Sequence, residues 1–217
     1  MKIQSNQNGR SMIEMLGVLA IIGVLSVGGI AGYTKAMEQY KTNKFLEQLS
    51  QIATNTKILY AQQKNYAGLE NTTALRSGLI PDDLQKDNLY FYNPWSLTDG
   101  HSWIFPVSYK SIGDQQAFLI STRNLPRKIC IELATKDWGD PQSSGLLGLV
   151  IGSGYISFAD DQKVITNCPI DFLRITGGDG NAYTFCPPQL PLSPVKAQTY
   201  CNCTETDNEC LFALIYH

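Results

Sequence analysis

Histidine is scarce in this chain: there are two, His101 and His217, among 217 residues. Neither stands at ligand spacing from a cysteine pair, so the paired patterns of structural zinc sites have no counterpart. No Gly-x-Ser-x-Gly elbow occurs, and no serine or aspartate cluster is arranged with an identifiable base. An excess of positive charge is also missing. The formal net charge is −2, from 17 Lys and Arg against 19 Asp and Glu. Such a balance announces no large basic surface for nucleic acid. Internal repeats and low-complexity linkers are absent. Gly177-Gly178-Asp179-Gly180-Asn181 lacks the lysine of a phosphate loop and the ligand spacing of a calcium loop, and reads as a tight turn. The three tryptophans are scattered, as core packing would place them. These gaps lead to the expectation of no enzyme, no cofactor, no metal and no nucleic-acid partner.

Cysteine is absent from the first 129 residues. Six follow: Cys130, Cys168, Cys186, Cys201, Cys203 and Cys210. An even number crowded into the C-terminal part reads as disulfides, and therefore as an oxidising compartment. The sequence alone does not choose their pairing.

Charge is absent from Met15 to Thr34. At ~1.5 Å per residue this run spans ~30 Å, the thickness of a bilayer's hydrocarbon core. Gly17, Gly23, Gly28, Gly29 and Gly32 interrupt it. Each would weaken a soluble helix by ~1 kcal/mol relative to Ala. In a membrane helix they are tolerated and allow close contact between helices. Gly28 and Gly32 make one GxxxG, a weak signal in a glycine-rich run.

Beyond Thr34 neither proline nor glycine occurs until after Gln63. Phe45, Leu49, Ile52, Thr56 and Leu59 recur at helical spacing and define one face for burial. One helix is predicted from about Met12 to Gln63, apolar all round at first and striped afterwards.

The remainder alternates. A loop with a short helix near Thr73–Ser77 precedes two β-rich runs, "SWIFPVSY" and "QQAFLIST". These predict an antiparallel pair, with Pro106 pushing its strand toward an edge. "NLPRKICIELATKDWG" predicts a second helix, capped by Asn124, with Pro126 in the first turn and Ile129, Cys130 and Leu133 facing inward. "LLGLVIGSGYISF" predicts a hairpin or strand pair, and "ECLFALIYH" a last strand. The fold class expected is α+β: a long N-terminal helix, transmembrane and then amphipathic, on an antiparallel sheet with a disulfide-bonded C-terminal region.

Glu14 lies inside the edge of the apolar run, where an unpaired carboxylate is costly. Three readings of the N-terminus compete. A cleaved signal peptide would discard half of a continuous helix. A plain membrane anchor leaves Glu14 incidental. The third takes Gly9 and Glu14 together. "NGRSMIEMLGVLAIIGVL" resembles the prepilin leader of type IV pilins and type II secretion pseudopilins: a short leader ending in Gly, four residues, Glu, then a long apolar run. "YAGL" (Tyr66 to Leu69), "GLIPDD" (Gly78 to Asp83), "NPW" (Asn93 to Trp95) and "CIELAT" (Cys130 to Thr135) resemble the type IVb branch. The likeness touches roughly residues 1–140.

The resemblance implies a leader at 1–9, a filament-core helix half at 10–34, an amphipathic half at 35–63 and a head at 64–217. It implies cleavage by prepilin peptidase between Gly9 and Arg10, and N-methylation of the first mature residue. The family usually places Phe or Met there; this chain has Arg10. Glu14 would act in assembly. The implied partners are further copies in a helical filament, the peptidase, an inner-membrane assembly platform of a pilus or secretion system, and the membrane itself. The precursor would sit in the inner membrane with a periplasmic head, and the product in an extracellular pilus or a periplasmic pseudopilus. The branch also implies that Cys130 pairs with Cys201 or Cys203, Cys168 with Cys186, and Cys210 with whichever is left. The alternatives are a secretion pseudopilin, a minor tip pilin, or a membrane-anchored binding protein that does not polymerise.

Overall fold

The computed structural model describes residues 12–96, 101–109, 113–139, 141–153, 164–165, 172–174, 181–187, 189–203 and 210–217. The chain divides into two compact units, Met1–Asn43 and Lys44–His217. Helix α1 (Met12–Tyr60) contributes to both.

In the first unit, Leu, Ile, Met and Ala favour helix strongly enough to carry the glycines. Every residue from 12 to 36 is exposed. This stretch is long and apolar enough to cross a membrane.

In the second unit, α1 buries Phe45, Leu49, Ile52 and Thr56, four of the five positions expected from the sequence. The Thr56 hydroxyl is satisfied by donating to Ile52 O at 2.7 Å. Leu59 departs from expectation at 48% exposed, and Ala53 takes a place in the core instead. The helix ends at Tyr60 rather than Gln63. Ala61 N donates to Ile58 O and Gln63 N to Tyr60 O, so the backbone tightens into three-residue turns.

Helix α2 (Asn71–Arg76) and a 3-10 turn (Asp82–Leu84) follow. Next come β1 (Phe91–Tyr92), β2 (His101–Tyr109), β3 (Gly113–Leu125), helix α3 (Arg127–Thr135), the turn of helix α4 (Pro141–Ser144) and β4 (Leu146–Ser153). The chain continues through β5 (Val164–Ile165), β6 (Phe172–Arg174), β7 (Asn181–Phe185), helix α5 (Pro194–Tyr200) and β8 (Cys210–Tyr216). The described strands form one sheet in the order β1-β2-β3-β8-β4-β7-β6, with β5 pairing β2 in parallel and every other pair antiparallel.

The predicted β2–β3 pair is present, with Pro106 opposite Phe118. On the other flank of β2, β1 reaches only His101 and Ser102, and β5 only Ser108 and Tyr109. Pro106 falls between them, where its missing N–H costs no ladder bond.

Alternation along the strands sorts two cores. Phe118 and Ile120 of β3, with Phe212 and Leu214 of β8, join Phe45, Leu49 and Ile52 of α1 and Ile129 and Leu133 of α3. Ala117 and Leu119, with Leu211, Ala213 and Ile215, join Val107 and Val150 on the opposite face. All seven residues of β8 are buried, which is why "CLFALIY" is an unbroken apolar run.

The expected cap of α3 needs correcting. Asn124 does not cap α3. It belongs to β3 with φ +56, at a register shift between Thr122 and Leu125. Asparagine tolerates the left-handed region, so here it bends a strand rather than starting a helix. Pro126 takes the cap position, with no side-chain hydrogen bond. Leu146–Ser153 forms one strand, with partners β7 and β8 that are both distant in sequence; the second half of the expected hairpin or strand pair, residues 154–158, lies outside the described residues. The glycine turn at 177–181 lies outside the described residues but for Asn181, the first residue of β7.

Candidate assembly interface

The apolar half of α1 carries the surface that most needs a partner. From Met12 to Ile30 its large apolar side chains are 47–84% exposed. Glu14 stands in the first helical turn and is exposed. A carboxylate there is favoured by the positive end of the helix dipole. Along the same helix face, spacing aligns Glu14 with Gly17, Ile21, Gly28 and Gly32. A methyl group added at any of these glycines would meet nothing within 4 Å. The chain's own packing therefore does not require them; they leave notches open to another helix. Gly9 and Arg10, the other two residues expected at this site, lie outside the described residues.

The polar half of α1 is tied into the head. Lys44 forms an ion pair with Asp83, and Gln48 Nε2 donates to Asp83 Oδ1 at 2.7 Å. The hydrogen bond from Lys44, with help from Gln48, holds the Asp83 carboxyl below the usual carboxylate range. Lower on the helix, the Lys57 ammonium donates to Ser144 O and lies 5.2 Å from the Tyr216 ring centre.

The segments that carry the family likeness prove to be structural joints. Gly68 and Gly78 have φ of +78° and +71°, a conformation glycine adopts without penalty. Gly78 ends α2 in this way and delivers Leu79 and Ile80 to the core. Asn93, 1% exposed, donates to Arg123 O at 2.7 Å and accepts from Trp95 N and Ser96 N. Trp95 then meets Phe45 edge to face at 5.5 Å.

The cysteines staple the region after β3. Cys130 of α3 is bonded to Cys201 at the end of α5, with Cα atoms 6.0 Å apart. Arg127 donates to Cys201 O at 2.9 Å and to Gln198 O at 3.1 Å, fastening the same two helices. Cys203 is bonded to Cys210, which starts β8. Of the two partners expected for Cys130, Cys201 is the one found, and Cys210 takes the other. Cys186 is disulfide-bonded; Cys168, its expected partner, lies outside the described residues. Helix α5 was missed in the sequence although its signal was present: Ser193 accepts from Lys196 N, and Pro194 occupies the first helical position. Among the described residues, no group of three or more His, Cys, Asp or Glu is placed to hold a metal ion.

A family model described as "PilS N terminal" matches residues 39–170, more than half of the chain. The chain belongs to this family of type IV pilins. The pilin is also similar to the "Major structural subunit of bundle-forming pilus" of Escherichia coli O111:H-. That relative is 22% identical over 204 residues, covering 94% of this chain and 92% of the relative. The "Toxin coregulated pilin" of Vibrio cholerae is 27% identical over 136 residues, 61% of this chain and 58% of that protein. Among solved structures, the type IV b pilin from Salmonella typhi aligns with a TM-score of 0.45 and 14% identity, over 79% of this chain and 95% of that one. The pilin has the expected fold class: a long N-terminal helix, an antiparallel sheet and a disulfide-bonded C-terminal region.

Proposed function

We propose that this pilin is the repeating structural subunit of a type IVb-like pilus, a mechanical rather than a catalytic role. The observation that carries the reading is the exposed apolar helix with Glu14 in its first turn. The names of its relatives, both pilus proteins, support it. The precursor sits in the inner membrane with residues 1–9 cytoplasmic and the head periplasmic. Prepilin peptidase cuts between Gly9 and Arg10, and an inner-membrane platform moves the mature subunit into a growing filament. There the apolar helices of many copies leave lipid and pack together.

Lipid is as apolar as leucine, so this transfer gains little from hydrophobicity. Close packing at small residues and specific polar contacts must supply the difference. Glu14 supplies one such contact, by pairing with the N-terminal amine of a neighbour. That amine exists only after cleavage. A charge pair in low dielectric carries its own desolvation cost, so its main effect is on register: only a subunit stepped correctly matches charge to charge. Arg10 adds a second cation beside the amine.

The test joins processing to assembly. Mass spectrometry of envelope-derived protein should give Arg10 as the first residue of the mature chain. Glu14→Ala and Glu14→Lys should leave processed subunits in the membrane and abolish filaments under electron microscopy. Removing one partner of a buried pair costs about 3–5 kcal/mol at each contact. Normal filaments from either variant would sink the assembly role, and a mature chain that keeps Gly9 would sink the cleavage site.

A further inference from the structure

Two charges bracket the apolar half of α1. Glu14 is the last before the uncharged run and Lys35 the first after it, 21 residues on. In a helix that separation is ~31 Å, close to the ~30 Å of a bilayer's hydrocarbon core. Side chains on a helix lean toward its N-terminus. The Glu14 carboxylate is thereby carried away from the run, while side chains beyond Lys35 lean back toward it.

The segment where the run ends has its own chemistry. Tyr33 and Tyr40 are 66% and 59% exposed and stand seven residues apart on one helix face. Lys35 and Lys41 are exposed too. Among the described residues neither lysine makes an ion pair or a side-chain hydrogen bond. Glu38 stands between them, so residues 33–43 hold two lysines against one carboxylate and keep a net charge of +1. A tyrosine ring with its hydroxyl suits the boundary between hydrocarbon and water. A lysine lays its stem along apolar surface and keeps its ammonium, with three donors, among polar groups.

We propose that Tyr33, Lys35, Tyr40 and Lys41 form a collar that binds the phosphates of membrane phospholipids and fixes the depth at which the precursor waits. This rests on the reading of the helix as membrane-spanning. The two ends then oppose different movements. Drawing the helix toward the head carries Glu14 into hydrocarbon, which is costly for a lone carboxylate. Letting it sink the other way only moves Glu14 further into water, so Glu14 offers no resistance. Lys35 and then Lys41 would enter the hydrocarbon instead, and they supply the resistance that Glu14 lacks.

Depth-dependent quenching in the full-length pilin tests this, in vesicles of phosphatidylethanolamine and phosphatidylglycerol. The described cysteines leave no free thiol, so a cysteine placed at Thr34 or at Ser26 takes a fluorescent label. The quenchers are phospholipids spin-labelled at the headgroup or in mid-chain, and aqueous iodide. The Thr34 label should be quenched more by the headgroup probe, and the Ser26 label more by the mid-chain probe. Each lysine at an anionic surface shifts a membrane equilibrium about fivefold, so Lys35→Gln with Lys41→Gln should lower the headgroup-to-chain ratio at Thr34 by about twofold or more. Gln39→Ala, at an exposed neutral residue of the same segment, should leave that ratio unchanged. An unchanged ratio in the double lysine variant, with Ser26 still in hydrocarbon, would overturn the collar and leave the membrane-spanning reading standing. A Ser26 label quenched by iodide rather than by the mid-chain probe would overturn both.

Discussion

Asn71 grips strand β2 with both ends of its amide: Oδ1 accepts from Ile104 N at 2.8 Å, and Nδ2 donates to Ser102 O at 3.2 Å. The side chain is 9% exposed, so water does not replace these bonds. It acts as one more rung of ladder beside the short β1. Asn71→Ala should leave a buried donor and a buried acceptor unmet. Each such group costs about 1–3 kcal/mol, so a loss of about 2–4 kcal/mol is expected in denaturant unfolding of the detergent-solubilised pilin. A loss under about 0.5 kcal/mol would mean that the strand edge finds other partners.

The two described disulfide pairs close loops of very different length. Cys130 and Cys201 are 71 residues apart, while Cys203 and Cys210 are 7 apart. By loop-closure entropy the long loop contributes about 4 kcal/mol and the short one about 2 kcal/mol. Replacing both members of the first pair with serine should therefore destabilise the head about twice as much as replacing both members of the second. Equal losses in paired unfolding experiments would show that native packing, rather than chain entropy, sets their value.

Asp83 gives the head an acid-sensitive latch on α1. Its carboxyl is held down in the folded state, chiefly by the hydrogen bond from Lys44. A depressed carboxylate stabilises the fold above its unfolded pKa, and that stabilisation is lost as pH falls through the folded value. The loss should therefore begin near pH ~4 and grow below it. Both side chains of the pair are nearly half exposed, at 45% and 46%, so the effect should stay below about 1 kcal/mol. Asp83→Asn should flatten the decline of stability over that acid range. An unchanged pH profile in this variant would remove Asp83 from the account.

Local periodicity carried much of this architecture. The stripe of Phe45, Leu49, Ile52 and Thr56 was legible because a helix buries a face at fixed spacing. It failed at Leu59 because the head stops supplying surface to cover that face before the apolar residues end. The β2–β3 pair and the last strand were legible from β-rich runs. What pairs with β4 was not, because its partners β7 and β8 are far along the chain and local pattern holds no trace of them. Asn124 misled for a physical reason: the property that makes asparagine a good helix cap also lets it kink a strand. Helix α5 was overlooked despite its Ser-Pro start, in a stretch whose prolines suggested only turns. As for the assembly site, Glu14 and its glycines are evident in the sequence.

Strand β8 comes last of the described strands along the chain, yet it lies between β3 and β4. Without it no described strand joins β1-β2-β3 to β4-β7-β6, and β3 and β4 would each keep an unpaired edge. The head thus cannot close until its chain is complete through β8. It must wait for Cys210–Tyr216, and during that wait its open edges are exposed to other chains. Order of synthesis and order of assembly run opposite ways here, so the time a subunit spends unfinished is set by how quickly its final strand arrives.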